Sequence, residues 1–159
     1  MKTYVLMLSK VFPATHPRAG QPTVFFDKFM AGQAYSRKGW LVSPKRHTIR
    51  ANYALWHKRF KKIAAGEACL SVREWMGAPY RSKQREIARL TREDGIGIQQ
   101  LSFCYNNLYH HGVINAKKQP WVSDLARNDG LSVDDWEAWF RNYDLSKPMA
   151  IIHFTKFRY

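Results

Sequence analysis

Acidic residues are scarce in this sequence: 12 Asp+Glu stand against 26 Lys+Arg, a formal charge of +14. A surplus of that size on a short chain is the electrostatic footprint of a partner for polyanions, most often nucleic acid. Cysteine is nearly absent. Cys69 and Cys104 are the two, and neither belongs to a Cys-x-x-Cys pair, so no zinc signature or redox motif is present. Both read as core residues, and a reducing cytoplasm is the expected compartment. Long hydrophobic runs are missing too. The apolar stretch Tyr4 to Leu8 ends at Ser9 and Lys10, too short for a secretory core or a membrane span. Gly95-Ile96-Gly97 lacks the third glycine of a dinucleotide fingerprint. There is no Gly-x-Ser-x-Gly elbow, and no histidine pair has the helical spacing of a metalloprotease. No metal and no cofactor are therefore expected. Neither an internal repeat nor a Gly/Ser linker divides the chain, which reads as one domain, 1–159.

What is present can build a core. Apolar residues make up 45% and aromatics 14% of 159 residues, enough to exclude disorder as the main state. Thr3 to Val11 reads as a buried strand, followed by a loop containing Pro13, Pro17 and Gly20. Pro22 to Ala31 reads as a short helix with Pro22 in its first turn. Arg46 to Arg50 is expected to be extended. Asn52 to Ala65 carries the clearest helical stripe, Tyr53, Trp56, Phe60 and Ile63, with Asn52 as cap and Gly66 as stop. Glu67 to Trp75 is a strand candidate. Lys83 to Arg92 and Ile96 to Tyr105 flank Asp94-Gly95, a hairpin signal. Trp121 to Asn128 is a helix expected to be capped by Ser123, and Ser132 opens another. Met149 to Phe157 is a final strand. The expected fold is α+β: a small mixed or antiparallel β-barrel with helices around it.

The most informative stretch is Lys45-Arg46-His47-Thr48-Ile49-Arg50. Thr48 and Arg50 alternate on an extended segment, so they share one face. A turn after Pro44 can bring the Lys45 ammonium beside Thr48. A guanidinium grips a phosphate or carbonyl through paired hydrogen bonds, and a desolvated lysine near other cations can serve as a base.

The string Thr23 to Gly32, followed by Lys45 to Arg50, resembles the ASCH domain family, a branch of the PUA-like β-barrels. That family's signature is a glycine, then a lysine, then a Thr-x-Arg element. Gly66 to Trp75, Asp124 to Ser132 and Met149 to Tyr159 resemble later parts of the same domain, so the likeness covers most of the chain in order. Within the family, the chain is most similar to small bacterial amidohydrolases that deacetylate N-acetylated cytidine. The resemblance implies a PUA-like barrel with Lys45 and Thr48 as catalytic lysine and threonine. Asp129 then stands where the enzymes have a glutamate, one methylene shorter. Two departures stand out: an insertion at about 33–44 between Gly32 and Lys45, and another at about 76–119.

Two principal functions follow from these readings. One is binding of RNA or a modified nucleobase at a barrel mouth lined by Lys45, Thr48, Arg50 and Asp129. His47, Arg81, Lys83, Lys58 and Lys62 offer polar or phosphate contacts, and Trp40 and Tyr80 offer stacking. The other is amide hydrolysis, with Thr48 as nucleophile, Lys45 as base and Asp129 as orienter. A metal-independent ribonuclease using Lys45, His47 and Asp129 is a third. The expected partner is RNA or a nucleoside; no membrane is expected, and no protein partner can be inferred.

Overall fold

The computed structural model describes residues 1–33, 42–103 and 112–159. Among these residues stand seven strands and four α-helices in two sheets, an α+β architecture. In the first sheet, β1 (Lys2–Met7) runs parallel to β3 (Ala68–Trp75), and β4 (Gln84–Leu90) pairs antiparallel with β3. In the second, β2 (His47–Arg50), β7 (Met149–His153), β5 (Gly97–Phe103) and β6 (Gly112–Ile114) lie side by side in that order, all antiparallel.

Helix α2 (Tyr53–Ala64) fits its sequence pattern. The Asn52 side chain accepts from the Leu55 N–H at 3.1 Å, and Gly66 takes the left-handed conformation (φ 78°) that ends a helix cheaply. Trp56, Phe60 and Ile63 are buried, and α2 packs on β3, β5 and β7, so it bridges the two sheets. Helices α3 (Val122–Asn128) and α4 (Val133–Phe140) follow one another. Ser132 caps α4, accepting from the Asp135 N–H at 3.1 Å, and Trp136 beneath it is fully buried.

Four expectations need correction. Helix α1 (Phe25–Gln33) does not start at Pro22: Val24 has φ 60°, and the Thr23 hydroxyl accepts from the Phe25 N–H, so the helix opens three residues later. Trp121, not Ser123, holds the cap position of α3. Asp94-Gly95 does not close a hairpin. Gly95 is left-handed (φ 73°), but Asp94 turns back to accept from the Thr91 N–H at 2.7 Å. That capping box makes a 3₁₀ turn, so the chain leaves the first sheet after β4 and enters the second at β5. As a result, no ladder joins the two sheets among the described residues, and the expected barrel is not closed there.

Candidate functional site

Three chain segments converge on one buried point. Lys45 precedes β2, and Asp129 caps the C-terminus of α3. Gly130, left-handed at φ 82°, ends that helix. Its N–H reaches the Arg127 carbonyl and the Leu131 N–H reaches Ala126, a Schellman arrangement. A side chain at Gly130 would press on Lys45 and Lys28. Gly32, near the end of α1, is tighter still: a Cβ there would lie 2.5 Å from the Lys45 carbonyl oxygen. Gly32 and Lys45, far apart in sequence, are thus in direct contact.

The Lys45 ammonium donates to Asp129 Oδ1 at 2.5 Å and also to the Asp129 carbonyl, so it both pairs the carboxylate and caps α3. Its other flank faces the Phe25 ring, 4.2 Å from the centroid. Both partners are buried, Lys45 at 1% and Asp129 at 3% exposure. Burial lowers the Lys45 pKa to about 8, against the pull of Asp129 that would raise it. Burial likewise raises that of Asp129, opposed by Lys45 and Arg50. The Trp136 indole N–H favours the Asp129 anion from longer range; it meets no partner at full hydrogen-bond geometry.

Beside this pair, Arg50 donates to the Thr48 hydroxyl at 2.7 Å and to the Met7 carbonyl at 2.6 Å. The Thr48 oxygen accepts there, leaving its own proton free to donate. No hydrogen bond joins Lys45 directly to Thr48 among the described residues. Lys45, Thr48, Arg50 and Asp129 therefore form two bonded pairs, Lys45 with Asp129 and Arg50 with Thr48, rather than the open pocket lining expected of them. None of the five principal cavities among the described residues is lined by any of the four.

His47 faces the other way. Its Nε2 lies 2.7 Å from the Tyr159 hydroxyl, and its ring lies edge-on to His153, 5.6 Å away. Burial first, then the positive charge of neighbouring groups, holds His47 well below the usual histidine range, and burial holds His153 at about 3. Both are neutral near pH 7. This cluster had no sequence signal, because its contacts join residues 112 positions apart.

The largest of these cavities, about 610 Å³, lies along the outer end of the first sheet. Met7, Leu8, Phe12, Trp75 and Tyr80 are among the residues that line it. Met7 is also the residue whose carbonyl anchors Arg50, so the buried quartet backs onto the groove wall. Tyr80 is 90% exposed and sits at φ 63°, a strained backbone for an aromatic residue. Its loop is braced: Ser82 accepts from the Gly77 N–H at 2.9 Å and donates to the Ala78 carbonyl at 2.9 Å. The Tyr80 and Trp75 rings stand 5.3 Å apart. Lys10 lines the groove, and Arg81 and Lys83 are exposed on the Tyr80 loop. Lys58 and Lys62 are exposed on α2, and Trp40 lies outside the described residues.

Cys69 is buried as expected, but it has a cationic neighbour that sequence reading did not foresee, Arg89 at 3.2 Å. No group of three or more His, Cys, Asp or Glu is placed to hold a metal ion among the described residues. No described helix is long and apolar enough to cross a membrane. No protein-family model, no curated protein and no solved structure matches the chain.

Proposed function

We propose that this chain is an RNA-binding module of the ASCH, PUA-like kind that holds unpaired bases in the groove beside Tyr80. One observation carries this reading: an aromatic ring, 90% exposed, is held out on a braced loop beside Trp75. Leaving such a ring in water forfeits its hydrophobic gain, and its backbone is strained as well. A stacking platform explains both costs, because every base offers a flat face to an aromatic side chain. Arg81, Lys83 and Lys10 supply phosphate contacts around it, within a chain of net charge +14. The contact of Gly32 with Lys45, and the gathering of Lys45, Thr48, Arg50 and Asp129, support the ASCH likeness.

The test is a fluorescence-anisotropy titration with single-stranded and duplex oligoribonucleotides. Tyr80→Ala should weaken single-strand binding by roughly 5- to 150-fold, the worth of one stacked base. Equal binding of wild type and Tyr80→Ala would remove the groove from the proposal.

A second reading, amide hydrolysis on acetylated cytidine, is favoured by the lowered Lys45 pKa of about 8, which gives a part-neutral lysine near pH 7 to 8. It ranks lower because Arg50, not Lys45, bonds the Thr48 hydroxyl. Acetate release by wild type that disappears in Thr48→Val would establish it; no release by wild type would dismiss it.

A further inference from the structure

A separate concavity of about 280 Å³ is walled by Arg46, Asp124, Arg127, Asn128, Phe157 and Tyr159. Its polar lining includes the buried Asn128 and the half-buried Tyr159. Asn128, 6% exposed at the end of α3, donates from Nδ2 to the Tyr159 hydroxyl at 3.0 Å. That hydroxyl donates to the Asp124 carbonyl at 3.4 Å and lies 2.7 Å from His47 Nε2. Asn128 and Tyr159 are thereby fixed in orientation.

Two guanidinium groups stand at the walls. Arg127 pairs with Asp124 at 2.6 Å. Arg46 has no carboxylate partner among the described residues; its guanidinium lies 5.1 Å from the Phe157 ring centroid. Its backbone is pinned independently, the N–H on the Asn128 carbonyl at 2.8 Å and the carbonyl on the Phe154 N–H at 3.1 Å. Two arginines against one aspartate leave one positive charge in surplus in a recess with a polar lining. The volume lies just below the usual range for sites that enclose a drug-sized ligand, so it suits one phosphate with its sugar or base.

We propose that this concavity is a nucleotide subsite in which Arg46 grips the phosphate. The planar fork of Arg46 binds two phosphate oxygens, and Arg127 shields the Asp124 carboxylate that would repel them. Asn128 and Tyr159 meet the sugar or base edge, with the Phe157 ring beside them. The phosphate belongs either to a free mononucleotide or to an RNA strand. The subsite stands without the groove, since a mononucleotide can fill it whether or not Tyr80 stacks a base.

The test is an NMR titration of the ¹⁵N-labelled full chain with cytidine 5′-monophosphate, cytidine, inorganic phosphate and a 5′-phosphorylated trinucleotide. The Asn128 side-chain amide and Arg46 Nε–H are the reporters. Cytidine monophosphate should shift both saturably, and cytidine should not. Arg46→Gln should weaken binding about tenfold or more, the worth of a charge-assisted hydrogen bond. Asp124→Asn should strengthen it, by removing a like charge. Lys147→Gln, exposed and outside the concavity, should leave it unchanged. A trinucleotide that binds more tightly and loses the same factor in Arg46→Gln assigns the phosphate to RNA; a mononucleotide that binds equally well assigns it to free nucleotides. Absence of saturable shifts at millimolar ligand, undiminished binding in folded Arg46→Gln, or weaker binding in Asp124→Asn would overturn the proposal.

Discussion

Lys45 carries two tasks at once, pairing the buried Asp129 carboxylate and capping the last carbonyl of α3. Removing it strands a buried anion, so Lys45→Ala should cost about 3–5 kcal/mol of folding stability. Replacing both partners together, as in Lys45→Met with Asp129→Leu, should cost well under that, because no lone charge is left behind. Chemical denaturation of the two variants checks the contrast. The pair also sets a pH dependence. Lys45 has its pKa lowered to about 8 in the folded chain from an ordinary 10.5. Between those values the unfolded chain holds more protons, so the Lys45 contribution to stability rises with pH through that window and is at its least favourable below about pH 8. Asp129 is raised instead, so its contribution falls as pH climbs from the ordinary carboxylate range to its folded pKa. Unfolding free energies at pH 7 and pH 10 should rise more in wild type than in the double variant. An equal rise in both would mean that Lys45 titrates normally.

At the scale of elements, much was legible where the signal was local. Asn52 and Ser132 cap the helices their sequence spacing indicated, because capping needs only a polar side chain and the next turn. The extended run ending at Arg50 was legible by alternation. Its meeting with Asp129 was not; only the family likeness pointed there, since the contact spans 84 positions. The Asp94-Gly95 turn shows why local signals fail: the dipeptide's left-handed glycine is real, but Thr91 converts the turn to a 3₁₀ exit. Neither the strain at Tyr80 nor the His47–Tyr159 contact had a sequence signature, because both are fixed by surrounding structure. The turn after α3 is testable directly. Gly130 is left-handed and abuts Lys45, so Gly130→Ala should destabilise by more than about 1 kcal/mol. Thermal unfolding measures it, and a neutral effect would mean that the α3 terminus does not position Asp129.

Over the whole molecule, charge was the most readable property and pairing the least. The +14 balance stands in the composition itself. The division into a sheet ordered β1-β3-β4 and another ordered β2-β7-β5-β6 depends on long-range ladders, including a parallel β1–β3 pair that no turn signal announces. A chain with this charge will bind any polyanion to some degree, so affinity alone decides little. The decisive experiment separates stacking from general electrostatics: titrate one single-stranded oligoribonucleotide against wild type, Tyr80→Ala and a charge variant, Arg81→Gln with Lys83→Gln, over a series of salt concentrations. If bases stack in the groove, Tyr80→Ala lowers affinity by a constant factor with an unchanged salt slope. The charge variant should flatten the slope by about 0.7 per lost phosphate contact. Identical curves for wild type and Tyr80→Ala at every salt concentration would show a merely basic surface and contradict RNA recognition at this groove.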